Sequence, residues 1–482
     1  MSELGRVSDP TVFVLYGATG DLARRMVLPA FFRLAQAELL PDDWRLIGNG
    51  RRDVSDDDFR ARVHDALTEF GPQPDEGPWE KFSSRLRFAG GGFSTENPGR
   101  LLDVFSDAER ELGGRPQRVH YFAVPPTAFE PLTRGLGQHR LAARSRVVFE
   151  KPFGTSLDSF RALDRAVHQV LDESQVFRID HFLGKEATQD LYAVRFGNGL
   201  FSGVWDRSHL AAVQVDVPEV LDVADRAAFY DSTGAVLDML VTHLFQVAAE
   251  VAMEPPASFG AEDLAAAREA VIGAFRPLEP DDVVLGQFEG YRDIDGVAGD
   301  SRTETFVAAR LWVDTERWRG VPFLLRTGKQ LAASRQQVSL VFRQPGAPVH
   351  ELPALGNVLT FDLAGEGELD LSLVVKVPGP DLTLSTAHTA LPLRTVLGGH
   401  PLPPYVRLIH DVLLGDRSLF TRPDGLEHVW QVAGALLADK PEPVIYPKGS
   451  WGPAEADRLA EPIGWLLTSS ASARPDGHGQ SA

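Results

Sequence analysis

The sequence predicts an α/β domain with a parallel sheet, followed by an α+β domain with a large, mostly antiparallel sheet. Val12-Phe13-Val14-Leu15-Tyr16 is a continuous apolar run, as expected of a strand buried on both faces. It enters Gly17-Ala18-Thr19-Gly20-Asp21-Leu22-Ala23 and then a helical pattern through Ala35. Strands and helices alternate in this way up to about residue 178, which is the order of a Rossmann domain. Beyond it the pattern changes. Val213, Val215 and Val217 interleave with Gln214 and Asp216, the period-two signature of a half-buried strand. Similar runs at 283–288, 305–313, 338–342 and 371–377 have few helices between them and predict one large sheet.

The expected division is a flexible N-terminus at 1–10, a Rossmann domain at 11–178, an α+β domain at 179–468 and a disordered Ser, Gly, Ala and Pro-rich tail at 469–482. A chain of 482 residues is long enough for about two or three domains. Its formal charge of −19 argues against nonspecific binding to nucleic acid or anionic membrane. The absence of cysteine excludes disulfides, thiolate catalysis and Cys-based zinc sites. The first ten residues are polar, and no apolar run approaches membrane-spanning length. A cytoplasmic protein without a metal centre is the expectation.

Strand, Gly-x-x-Gly turn and helix at residues 12–35 form a phosphate cradle, since glycine lets the backbone approach and a helix N-terminus presents free N–H groups. A tight turn without a ligand is the alternative. The next strand, Leu46-Ile47, ends in Gly48-Asn49-Gly50-Arg51-Arg52. An NAD site commonly has an acid near this point; two arginines instead suit a 2′-phosphate and favour NADP. Residues 56–70 read as an amphipathic helix and 71–77 as a proline-rich loop. Residues 119–124 form a strand that ends in the rigid turn Val124-Pro125-Pro126. Val147-Val148-Phe149 delivers Glu150-Lys151-Pro152 to another strand end, where ligands of open α/β sheets gather. Residues 156–172 are a helix with a serine cap.

Arg178-Ile179-Asp180-His181-Phe182-Leu183-Gly184-Lys185-Glu186 follows a short strand beginning at Val176. His181 and Lys185 are four apart and share a face if the helix has already started. Two such donors suit an anion, and Asp180 could hold a histidine in one tautomer. A solvated charged turn is the bland alternative. In the second domain, Asp238 and His243 are the ionisable members of an otherwise apolar helical stretch, where a lone histidine is usually a core residue.

These segments together resemble the glucose-6-phosphate dehydrogenase family. The stretch from Arg178 to Glu186 matches that family's Arg-Ile-Asp-His-Tyr-Leu-Gly-Lys-Glu with Phe182 as its single change. Gly17 to Ala23 is close to its cofactor turn. Glu150-Lys151-Pro152 occurs in it, as also in enzymes of the glucose–fructose oxidoreductase type. Gly234-Ala235-Val236-Leu237-Asp238-Met239-Leu240-Val241-Thr242-His243 is similar to Gly-Ala-x-Arg-Asp-Met-x-x-Asn-His, and Val321 to Lys329 to Val-Pro-Phe-x-x-Arg-x-Gly-Lys. Gly449-Ser450-Trp451-Gly452-Pro453 extends the likeness toward the C-terminus.

The resemblance implies oxidation of glucose 6-phosphate at C1 to 6-phosphogluconolactone, the entry reaction of the oxidative pentose phosphate pathway, with hydride transfer to NADP. It implies His243 as the base and Asp180 as the carboxylate that orients it. It implies His181 and Lys185 on the phosphate, and Glu219, Asp238, Lys151 and Lys329 on the sugar. Gly17, Thr19, Gly20, Asp21, Leu22, Arg51, Val124, Pro125 and Lys151 would contact NADP, with a cis bond before Pro152. A homodimer or homotetramer would form through the second-domain sheet. The chain departs from the family at Met26, Phe182, Leu237 and Thr242, and at Ser334, where a lysine is usual and Arg335 lies adjacent. The alternatives are a sugar dehydrogenase of the glucose–fructose oxidoreductase type and a non-catalytic NADP-binding regulator.

Overall fold

The structure, a computed structural model, describes residues 7–468 except 114, 224–225, 347–351, 354 and 397–400. The first six residues of the expected flexible N-terminus, and the whole of the expected tail at 469–482, lie outside the described residues. The chain divides into two compact units. The first comprises residues up to Lys185 together with Pro256–Ala266 and Leu402–Glu427, and the second holds the remainder.

The first unit is built on β1 (Thr11–Tyr16), β2 (Trp44–Asn49), β3 (Leu86–Ala89), β4 (Gln117–Phe122), β5 (Ser145–Phe149) and β6 (Val176–Ile179). Their order across the sheet is β6-β5-β4-β1-β2-β3, all parallel, with the two-residue strand Phe420–Thr421 antiparallel on the outer edge of β6. This is the doubly wound order of a Rossmann domain. Every residue of β1 is buried, which explains its unbroken apolar run. The helix at Asp56–Phe70 has the expected bounds, with Ser55 accepting from the Asp58 N–H. The helix Leu157–His168 opens on a reciprocal cap between Ser156 and Ser159 and is shorter than the expected 156–172.

A single boundary near residue 178 assigns Leu402–Glu427 to the second domain, whereas the structure counts it with the first unit. The reason is pairing and packing. Phe420 and Thr421 lie in register with Ile179 and Arg178. Val406, Leu408, Ile409 and Val412 of the helix Pro404–Leu414 join the core that holds Phe13, Phe31 and Phe32. Arg146 donates to the carbonyls of Val412 and Leu413 at the end of that helix, at 2.8 and 2.6 Å.

In the second unit, β7 (Leu210–Pro218), β8 (Val283–Phe288), β9 (Phe306–Leu311), β10 (Phe323–Gly328), β11 (Gln337–Phe342), β12 (Val358–Asp362), β13 (Glu368–Lys376) and β14 (Leu384–Pro392) join a short strand at Val444–Tyr446. The order is β14-β13-β12-β11-β7-β10-β9-β8, with Val444–Tyr446 beyond β8. Pairing is antiparallel except between β7 and β10 and between β8 and Val444–Tyr446. The central parallel pair is locked by Arg326 and Asp216, opposite each other in register and joined by a bidentate ion pair of side chains only 2% and 4% exposed.

Against the expectation that no apolar run nears membrane-spanning length, Ala227–Ala252 forms 26 helical residues long and apolar enough to do so. Of its most apolar window, 89% is buried inside the protein, as in a core helix. Gly234 breaks it with a φ of 70°, and Val236–Leu244 winds as π-helical turns.

Candidate active site

The first unit places its expected residues at the carboxyl ends of its strands. β1 and β4 are neighbours although far apart in sequence, so the sheet reverses its winding between them, and ligands of such sheets bind at that point. The Gly20 N–H donates to the Gly17 carbonyl at 2.8 Å, closing the turn after β1. Gly17 has a φ of 73°, and a Cβ there would run into the Ala123 carbonyl and the Val124 side chain beyond β4. The two turns that hold Gly17, Thr19, Gly20, Asp21 and Leu22 on one side and Val124 and Pro125 on the other therefore touch. Among these, Thr19, Asp21 and Pro125 are exposed. Met26 is 41% exposed on the helical turn that follows.

The Asn49 carbonyl at the end of β2 accepts the Gly17 and Ala18 N–H groups at 3.0 and 3.1 Å. Its buried side chain donates to the Ala89 carbonyl at 2.8 Å and that of Gly92 at 3.2 Å, tying the loops after β2 and β3 together. Arg51 and Arg52 follow, both exposed. Thr19 lies near Gly50, the residue before them, where a Cβ would sit 3.7 Å from its hydroxyl. The carboxylate of Asp53, close along the chain, is held by Arg100 at 3.4 Å.

Beyond β5 the Lys151–Pro152 peptide is cis. Glu150, immediately before it, is 5% exposed and accepts from the hydroxyls of Tyr121 at 2.6 Å and Tyr405 at 3.5 Å. Burial pushes its carboxyl up to about 6, with the hydrogen bond from Tyr121 working the other way.

Asp180 follows β6, is 2% exposed, and accepts the Phe182 N–H at 2.8 Å. The helix begins only at Glu186, so His181 and Lys185 belong to a turn and do not share a helical face. Phe182 groups them instead: its ring lies 4.9 Å from that of His181, and the Lys185 ammonium sits 4.4 Å from its centroid. His181 is also stacked on Tyr405 at 6.5 Å. Gly184 fits because Leu408 and the Pro404 carbonyl leave no room for a Cβ. Tyr405 had no local signal in the sequence, because it arrives from the helix Pro404–Leu414.

The second unit gathers a separate set. Glu219 and Lys329 follow the ends of the parallel strands β7 and β10, which the Arg326–Asp216 lock holds in register. The Lys329 ammonium donates to the Glu219 carboxylate at 2.7 Å, with the two side chains 14% and 23% exposed. The Tyr446 hydroxyl donates to the Lys329 carbonyl at 2.6 Å. Asp238 and His243 are carried by the π-helical segment, Asp238 half-buried and His243 fully enclosed. The start of this segment is fixed by Glu304. That buried carboxylate accepts the Val236 N–H at 3.1 Å and the Lys440 ammonium at 3.0 Å, and it occupies the space a Cβ on Gly234 would need. Thr242 bonds back to the Leu237 carbonyl at 2.5 Å within the same segment. Ser334 accepts the Val220 N–H at 3.0 Å, beside Glu219. Arg335 turns to the wall of a separate cavity of about 650 Å³ with Gln337 and Ser339.

Comparison with known proteins bears on both units. Residues 14–190 match the family model "Glucose-6-phosphate dehydrogenase, NAD binding domain", and residues 192–465 match "Glucose-6-phosphate dehydrogenase, C-terminal domain". The chain is 37% identical over 478 residues to glucose-6-phosphate 1-dehydrogenase 2 of Mycobacterium tuberculosis, covering 93% of each. It is 34% identical over 472 residues to the cytoplasmic glucose-6-phosphate 1-dehydrogenase 6 of Arabidopsis thaliana, covering 94% of this chain and 92% of that one. It is also similar to a solved glucose-6-phosphate dehydrogenase in complex with its substrate glucose-6-phosphate, with a TM-score of 0.89, 29% identity, and coverage of 97% of this chain and 100% of that one. The likeness thus spans the glycine cradle, the Asp180–Lys185 turn and the Glu219–Lys329 pair alike, and the chain belongs to the glucose-6-phosphate dehydrogenase family.

Proposed function

We propose that NADP is the hydride acceptor as this chain oxidises glucose 6-phosphate at C1 to 6-phosphogluconolactone, and that the residues described above carry the reaction. The arrangement after β2 supports NADP over NAD most directly. Arg51 and Arg52 are exposed just after Gly50, which lies near the Thr19 hydroxyl, and the Asp53 carboxylate that follows pairs with Arg100. The closed glycine turn after β1, at the carboxyl end of the sheet where its winding reverses, supports a backbone cradle for a diphosphate. Gly17, Thr19, Gly20, Asp21 and Leu22 would hold the diphosphate side, Arg51 the 2′-phosphate, and Val124, Pro125 and Lys151 the nicotinamide side. When bound, NADP supplies the hydride acceptor.

His243 takes the proton of the C1 hydroxyl, and Asp180 is the carboxylate that orients the imidazole and favours its charged form. His181 and Lys185 hold the 6-phosphate, which fixes the far end of the sugar and so positions C1. Glu219, Asp238, Lys151 and Lys329 satisfy ring hydroxyls. Steady-state reduction of NADP and of NAD, with glucose 6-phosphate and with free glucose, tests this reading. The expected order is NADP with glucose 6-phosphate far above the other combinations. His243→Asn should lower kcat by about 10²–10⁴ while calorimetric binding of glucose 6-phosphate survives; near-normal kcat refutes the base assignment.

The working form is a homodimer or homotetramer, and its location is the cytoplasm. Support for self-association comes from the outer edge of the second-unit sheet, where β14 is exposed along most of its length and Leu373, Val375 and Leu391 are exposed. Sedimentation of the wild type against Leu373→Glu measures it, and a wild-type monomer refutes it.

A further inference from the structure

Tyr230 lies outside the set already assigned. It is 5% exposed and packed in the core cluster with Phe288, Tyr291, Phe306 and Tyr446. The Lys329 ammonium lies 5.8 Å from its ring centroid. Its hydroxyl makes no hydrogen bond among the described residues, yet it is not one of the fully enclosed polar atoms lacking a partner. The small area that Tyr230 leaves open therefore includes its hydroxyl. Burial, together with the nearby carboxylates of Asp238, Glu304 and Glu219, holds the phenol well above its ordinary range. At working pH it is a neutral O–H donor.

The donors assigned around it are charged ammonium groups. A sugar hydroxyl both gives and accepts a hydrogen bond. Glu219 and Asp238, when ionised, only accept, and the Lys329 ammonium already gives one of its protons to Glu219 at 2.7 Å. A phenol next to this group adds a neutral donor of fixed position, without adding charge.

We propose that Tyr230 is a further substrate contact, donating a hydrogen bond from its hydroxyl to one hydroxyl oxygen on the sugar ring (at C2, C3 or C4) alongside Glu219, Asp238 and Lys329. The inference rests on the reading of those three as the sugar site. Tyr230→Phe keeps the ring and its packing and removes only the donor. With glucose 6-phosphate it should lower kcat/KM by about threefold to tenfold, mostly through KM, the scale of one net hydrogen bond. Thermal stability should be unchanged.

The decisive measurement repeats the comparison with 2-, 3- and 4-deoxyglucose 6-phosphate. For the analogue lacking the contacted hydroxyl, wild type and Tyr230→Phe should converge, because the bond is already gone. For the other two the penalty should persist. An unchanged kcat/KM with glucose 6-phosphate, or an equal penalty across all the analogues, overturns the proposal. Glu219→Gln measured in parallel separates two kinds of failure. If Glu219→Gln weakens binding and Tyr230→Phe does not, only the Tyr230 contact is wrong. If neither changes KM, the sugar-site reading fails with it.

Discussion

His120 links acid stability to the strands that carry the Gly17 and Val124 turns. It lies on β4, opposite Val14 of β1, and its Nδ1 is 3.2 Å from the hydroxyl of Tyr16, the residue just before Gly17. The side chain is fully buried and its ring stacks on Phe105 at 6.0 Å. Burial, with a smaller contribution from the Arg118 charge, lowers its pKa from 6.5 to about 3. A folded pKa below the unfolded value means the unfolded chain binds the proton first. The stabilisation is complete above pH 6.5 and is lost as pH falls toward 3. At about 1.4 kcal/mol per pH unit, the whole shift corresponds to about 5 kcal/mol, of which about 2 kcal/mol is lost between pH 7 and pH 5.

Glu150 acts in the opposite sense. Its raised pKa gives a contribution present below 4.5 and lost as pH rises through about 6. The comparison must therefore be between wild type and His120→Phe, in which Glu150 cancels. Losing the bond to Tyr16 costs the variant about 1 kcal/mol at every pH. What changes with pH is the difference between the two proteins. It should move by about 2 kcal/mol in favour of the variant from pH 7 to pH 5. Amide hydrogen exchange of peptides spanning β1 and β4, corrected for intrinsic rates, reads this without assuming that the two units unfold together. Parallel pH dependence in the two proteins would refute the reasoning.

Three further predictions concern the site. Arg51→Ala should weaken NADP by roughly tenfold to a hundredfold and NAD far less, the scale of one charge-assisted hydrogen bond; equal losses, by fluorescence titration, would indicate a folding role. Gly17→Ala places a methyl group against the Ala123 carbonyl at a positive φ, so dinucleotide binding should fall at least tenfold, about 1.4 kcal/mol, and unchanged calorimetric binding would show that the two turns can part freely. Phe182→Tyr adds a donor next to the Lys185 ammonium, 4.4 Å from the ring, and should lower KM for glucose 6-phosphate with kcat little changed; an unchanged KM means that the hydroxyl does not reach the phosphate.

Local patterns were enough for the elements whose reasons are local. The apolar run before Gly17 could only be a buried strand, and Ser55 and Ser156 start helices because their side chains cap the following turn. The residues of the Asp180–Lys185 turn and of the Asp238–His243 stretch were singled out by their likeness to family motifs, each contained within a few positions of sequence, since local pattern alone reads His243 as a core residue.

Tertiary structure decided what depends on partners distant in the chain. No window of sequence pairs Phe420 with Ile179, so a single boundary near residue 178 separates the strand Phe420–Thr421 and the helix Pro404–Leu414 from the unit they pack with. His181 and Lys185 meet across the Phe182 ring because the helix starts only after Lys185, at Glu186, so that both belong to the turn before it. Glu219 and Lys329 become a pair only when Asp216 and Arg326 set the register of β7 against β10. Tyr405 and Tyr230 carry no motif, and what raises the pKa of their hydroxyls is burial in the folded chain beside carboxylates brought from other elements. Caps, turns and periodicity act through bonds between near neighbours in sequence, whereas register, burial and the charge around a buried group exist only after the chain has folded.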